Sequence, residues 1–224
     1  MEATSSPPPP PAPSPIPWED PGRVGFVDRF VETVKLLATA PAEAFARMPT
    51  AGGIGQPLFF AIVVGWIGIA VYSVWMLLLG GMSLPFLDQV DLGAAGAMFG
   101  LSSGLMVVFL VLAPLLIVVG VFIQAAILHL MLMLVGGANQ GFEATARVCS
   151  YAQASQLAQI IPFCGGLLSA IWSVVLLIVG LSTAHGITRG KAALAVVLPV
   201  VVCCVAFGAM IMFFGVLAGI AQSQ

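Results

Sequence analysis

From residue 58 to residue 224 the chain runs for 167 residues with only six charged side chains: Asp88, Asp91, Glu143, Arg147, Arg189 and Lys191. A soluble domain carries roughly 25% charged residues, so six cannot clothe that length of chain in water. Lipid must cover it. Residues 58–79, 101–135, 167–184 and 192–218 are free of Asp, Glu, Lys and Arg. About 20 apolar residues in a helix cross a bilayer core of about 30 Å. The fold class expected is therefore all-α: a polytopic integral membrane helical bundle, with the lipid bilayer as its first partner.

The count of spans turns on two segments. Residues 101–135 are too long for one upright span and too short for two, with Pro114 near the middle as the point of a kink. Residues 143–161 are helical in pattern but polar, carrying Arg147, Ser150, Gln153, Ser155, Gln156 and Gln159. Lysine and arginine collect on the cytoplasmic side. Treating 101–135 as one span and 143–161 as a short third span places all seven basic residues on one side. The alternatives, which split 101–135 at Pro114, leave one or three of them on the far side. The expectation is five spans with the N-terminus cytoplasmic.

The remaining ten charges precede residue 58. Residues 1–17 hold eight prolines, five of them unbroken from Pro7 to Pro11. Proline fixes φ and removes the amide donor, so residues 1–22 read as a disordered, Pro-rich cytoplasmic arm, either a spacer or a docking peptide. Trp18 suits a headgroup-level anchor, since an indole satisfies ring and N–H together there. In residues 23–57, Phe26, Val27, Phe30, Val31, Val34, Leu37 and Ala38 share one helical face and Asp28, Glu32 and Lys35 another. Such an amphipathic helix lies on the bilayer or packs against the protein's own cytoplasmic face. Pro41 breaks it, a short turn follows over 42–48, and Pro49-Thr50-Ala51-Gly52-Gly53 is a flexible hinge into the transmembrane domain over 58–218. No leader segment is read at the start, so an internal span is expected to direct insertion.

The net charge of −2 offers no basic stripe, and no nucleic-acid partner is expected. Cys149, Cys164, Cys203 and Cys204 form no metal-ligand spacing and read as packing residues. No nucleophile elbow, zinc motif or phosphate-binding loop occurs; the expectation is no enzyme, no cofactor and no metal. The polar residues of the third helix point all round its axis, so it must be surrounded by other helices. Arg147, Tyr151, Gln153 and Gln156 are then polar positions of the bundle, serving as interhelical hydrogen bonds or as the lining of a path. His129 joins them as an intramembrane histidine, without a carboxylate or second histidine on its face. Glu143 and Arg147 read as a surface pair four residues apart. His185 falls in a short loop beside Arg189 and Lys191, where it is expected to be solvated or in contact with a lipid headgroup. Gly96, Gly100 and Gly104 repeat at four-residue spacing, permitting close helix packing within the bundle or between copies in a homo-oligomer.

Several short motifs, taken together, resemble bacterial members of the YIP family, the Ypt/Rab-GTPase-interacting membrane proteins. They are Pro17-Trp18-Glu19-Asp20, Pro57-Leu58, Leu128-His129-Leu130 before Gly136-Gly137, and Phe142-Glu143-Ala144-Thr145-Ala146-Arg147 running into Tyr151-Ala152. Ile161-Pro162 ahead of Gly165-Gly166, Ile171-Trp172 and His185-Gly186-Ile187 complete the set, so the resemblance covers residues 17–218. It implies five spans, a cytoplasmic N-terminus, no catalytic residues and, here, the bacterial cytoplasmic (inner) membrane. Eukaryotic members bind small GTPases in vesicle traffic. The expected role is a membrane scaffold or adaptor with a cytoplasmic protein partner on residues 1–48. The rival is transport of a small solute or lipid along the polar third helix.

Overall fold

Proline and glycine set the boundaries of the elements. The computed structural model describes residues 14–20, 22, 25–80 and 103–222. Pro17 opens a 3₁₀ turn, Pro17–Glu19. Helix α1 (Phe26–Thr39) stops one residue short of Pro41, which opens α2 (Pro41–Arg47). Proline lacks the donor a helix interior needs but is tolerated in the first turn. Then come α3 (Gly55–Gly80), α4 (Ser103–Leu134), α5 (Phe142–Ala152) continued by a 3₁₀ helix (Gln153–Ile160), α6 (Gly165–His185) and α7 (Arg189–Gln222). Helix α6 ends on Gly186 in the left-handed region at φ 62°, with the Ile187 N–H bonded back to the Ser182 carbonyl at 3.0 Å. Only glycine takes that conformation without steric cost, and the bond satisfies a carbonyl the helix end leaves free.

Among the described residues four helices are long and apolar enough to cross a membrane: Gly55–Trp75, Val107–Leu134, Gly165–His185 and Arg189–Phe213. Residues 103–134 form a single helix that runs through Pro114. A proline at 114 cannot donate to the carbonyl four residues earlier, that of Leu110. The indole N–H of Trp66 on α3 donates to that carbonyl at 3.1 Å, replacing the missing bond from a neighbouring helix, as hydrocarbon requires. Trp66→Phe is therefore expected to cost about 1 kcal/mol. In a Pro114→Ala background, which restores the backbone donor, the loss should shrink toward zero. Unfolding of the four proteins in mixed micelles reads the coupling, and an equal loss in both backgrounds would refute the bond.

The polar segment sits at the centre. Helix α5 packs against α3, α4 and α6, and its 3₁₀ continuation lies between α3 and α6. Every residue from Ala144 to Ala152 is buried. The continuous helix expected over 143–161 changes instead to a tighter winding at Gln153. Eight residues is long for a 3₁₀ helix. Outside this core, α4 and α7 present mostly exposed apolar side chains.

The chain ahead of α3 is folded onto the bundle. Ile16 and Trp18 are 0% and 2% exposed, so residues 16–19 correct the expectation of a disordered arm extending to residue 22. The Ile16 N–H bonds the Arg47 carbonyl at 3.2 Å, closing the segment over α1 and α2. Thr33 and Leu37 turn α1 toward the core, while Val27 and Val31 remain exposed beside the polar Asp28, Glu32 and Lys35. One helix thus has a packed edge, an unpacked apolar stripe and a charged face. Phe45 and Met48 complete the anchorage in the core.

Candidate functional site

The polar residues gather where α3 and α5 begin and α4 and α6 end. The first group is a clamp on the N-terminal segment. Arg147 is 1% exposed and its guanidinium pairs with the Glu19 carboxylate, 128 residues away in sequence. The Tyr151 hydroxyl donates to the other oxygen of that carboxylate at 2.6 Å, and its ring packs on Phe60 at 5.2 Å. The guanidinium also donates to the Gly53 carbonyl, while the Gly53 N–H donates to Glu143 at 2.7 Å. Gly53, at φ 100°, occupies a backbone conformation closed to other residues. The hinge expected to be flexible is thus held at both its donor and its acceptor.

Two sequence expectations are corrected here. Arg147 and Glu143 are not a surface pair: they approach only to 3.7 Å, and the principal partner of Arg147 is Glu19. Trp18 is turned into the protein and is not an exposed anchor. Its ring lies within 5.3–6.2 Å of Phe26, Phe30, Phe59 and Phe60, and its N–H donates to the Gln56 carbonyl at 2.8 Å. Four aromatic rings give a buried indole more contact than a bilayer surface would, and a backbone carbonyl satisfies its donor.

The second group joins two histidines through Thr145. The hydroxyl of Thr145 lies 2.9 Å from His129 Nδ1 and 3.0 Å from His185 Nε2. The Gln140 N–H donates to His185 Nδ1 at 3.1 Å, and the Asn139 side chain donates to the His185 carbonyl at 2.9 Å. That pattern orders the protons when both rings are neutral. His185 Nδ1 accepts, so its Nε2–H donates to Thr145, whose own hydrogen passes to His129 Nδ1. His185 is 2% exposed, which corrects the solvated loop position expected for it. The second histidine missing from the helical face of His129 is supplied by another helix, with ring centroids 6.2 Å apart.

The third group lies deeper in the bundle. Gln159 donates to the Gln156 side-chain oxygen, which the Ser169 hydroxyl also approaches at 3.4 Å. Gln156 packs so closely on α3 that a side chain at Gly68 would come within 3.0 Å of it. Gln153 is partly buried, and its side chain bonds to no described residue. Gly96 and Gly100, like Asp88 and Asp91, lie outside the described residues; Gly104 falls in the first turn of α4. Among the described residues no three His, Cys, Asp or Glu side chains are grouped to hold a metal ion.

Sequence reasoning singled out Arg147, Tyr151 and His129 but missed Glu19, Thr145 and His185 as their partners. All six fall within the short motifs that carry the family resemblance, which was the available signal.

A family model described as the Yip1 domain matches residues 34–210. The chain belongs to the Yip1 family. Nothing among the curated proteins or the solved structures compared with it matches. Yip1 membership and the four membrane-length apolar helices among the described residues together make this an integral membrane protein. Arg147, Tyr151 and both histidines lie inside the matched residues, whereas Trp18 and Glu19 precede them.

Proposed function

We propose that this Yip1-family protein is a membrane scaffold or adaptor, with five crossings and a docking face built from its N-terminal segment on the cytoplasmic side. The observation that carries this reading is the Glu19 clamp, which makes the segment ahead of the membrane a fixed part of the bundle end. Helix α1 then presents Asp28, Glu32 and Lys35 at a constant orientation, and its exposed Val27 and Val31 suit burial in the bilayer surface. Helix α5 and its 3₁₀ continuation supply the fifth crossing. Their 11 and 8 residues extend about 32 Å, at about 1.5 and 2.0 Å per residue. They run antiparallel to α6 along its length, with Thr145 beside His185 and Gln156 beside Ser169. All basic residues then share the cytoplasmic side.

The reading includes no catalysis. Transport along the third helix is the lesser reading, because the Gln156 side-chain oxygen is taken by Gln159 and Ser169.

Removing residues 1–49 would strip Ile16, Trp18, Phe45 and Met48 from the core, so a partner lost on that deletion says little. The informative changes are deletion of residues 1–13 and, separately, replacement of Asp28, Glu32 and Lys35 by serine. Crosslinking in native membranes should recover at least one cytoplasmic partner about tenfold less from one of them, with the protein level unchanged. An unaltered partner set from both would end the docking reading. A reporter fused after Gln224 should lie outside the cytosol, and a cytosolic reporter would overturn the five-crossing topology.

A further inference from the structure

Halfway along α4, α6 and α7 a cavity of about 420 Å³ opens between the three helices, within the range of about 300–1,000 Å³ typical of small-molecule sites. Gly120 and Gln124 line it from α4, Ser173 and Val174 from α6, and Val196 and Pro199 from α7. Its walls are apolar except at two points. The Gln124 amide and the Ser173 hydroxyl bond to no described residue. Pro199, which also lines it, leaves the Ala195 carbonyl of α7 without its helical donor.

Depth decides what such a cavity can hold. Gln124 precedes the last residue of α4 by ten positions and Ser173 precedes that of α6 by twelve, about 15 and 18 Å of helix. Both therefore sit near the midplane of a core about 30 Å thick. An unpaired amide there has no water to bond. The ester and phosphate groups of a phospholipid remain at the interface, so an acyl chain entering the cavity would leave Gln124 unpaired. The space beside Gly120, where a side chain would meet nothing within 4 Å, is open for a guest.

We propose that this cavity binds a lipophilic molecule carrying a carbonyl or hydroxyl group within an otherwise apolar body, with that group bonded to the Gln124 amide. An amide donates to a carbonyl and accepts from a hydroxyl, so either serves. The site lies among α4, α6 and α7, away from the Glu19 clamp, and stands whether or not the docking reading does.

Two photoreactive probes test it, each an 18-carbon chain with a terminal diazirine, one bearing a mid-chain ketone and the other none. With the full-length protein in synthetic phosphatidylcholine nanodiscs, the ketone probe should label α4, α6 and α7 at about tenfold lower concentration, the effect of one hydrogen bond. Gln124→Leu, which keeps the apolar volume, should bring the two probes to parity, and Gly120→Leu should block both by filling the space. Equal labelling of the natural protein by the two probes means that acyl chains alone fill the cavity, and overturns the proposal. So does efficient disulfide formation between copies of a Gln124→Cys variant whose four natural cysteines are replaced by alanine, which would make a second copy the occupant. If Gln124→Leu fails to fold, the probe pair on the natural protein decides by itself.

Discussion

Arg147→Met and Glu19→Gln are each expected to destabilise the fold by about 3–5 kcal/mol, the cost of leaving one member of a buried ion pair uncompensated. Arg147 is 1% exposed, and Glu19 is held by Arg147 and Tyr151 together. After Glu19→Gln the guanidinium loses its closest counter-charge and keeps neutral acceptors, an amide oxygen and the Gly53 carbonyl, with Glu143 3.7 Å away. After Arg147→Met the carboxylate keeps only the Tyr151 hydroxyl. The double variant should lose much less than the sum of the two, because neither charge is then stranded. Unfolding in mixed micelles measures the three stabilities. Limited proteolysis should in parallel show faster cleavage ahead of α1 in both single variants. Single losses below about 1 kcal/mol that simply add would mean that the pair sits in water and clamps nothing.

The second large effect concerns two adjacent glycines. A side chain at Gly165 would come within 2.5 Å of the Ala158 carbonyl oxygen and 2.8 Å of the Gln159 Cα, both backbone atoms of the facing 3₁₀ helix. At Gly166, one residue on, it would meet nothing within 4 Å. Overpacking costs about 1–3 kcal/mol when side chains can retreat, and backbone cannot. Gly165→Ala should therefore cost about 3 kcal/mol or more, whereas Gly166→Ala should be neutral or stabilising by up to about 1 kcal/mol, since alanine favours helix over glycine. Thermal unfolding of the two variants in one detergent gives the comparison directly. Equal midpoints would show that the 3₁₀ helix does not press closely on α6. In sequence, Gly165 and Gly166 form one undivided turn signal, and only the opposing backbone tells them apart.

Much of the architecture is legible in the order of residues. The uncharged runs mark the membrane helices, the polar run from Glu143 to Gln159 marks a segment that other helices must surround, and Pro41 marks the break between α1 and α2. The structure places the helices accordingly and joins residues 103–134 into one. The site is half legible. Arg147 stands out because an arginine inside an apolar domain needs a partner, but the rule names no partner. Glu143 is the obvious choice, being four residues away. The helix turns it toward the Gly53 N–H and leaves Arg147 to Glu19. Trp18 reads as a surface anchor because its immediate neighbours are prolines and charges. The four phenylalanines that enclose it lie 8 to 42 positions further along the chain.

Residue order dictates that this chain lives in a bilayer, which segments are helical, and that ten of its sixteen charged side chains precede residue 58. Those properties follow from side-chain transfer and backbone hydrogen bonding, summed residue by residue along the chain. Helix packing was needed to show that Glu19 seals Arg147, that Thr145 links two histidines from different helices, and that the α-helix tightens at Gln153. Each depends on which helix faces meet, and chain distance carries no information about that once helices pack side by side.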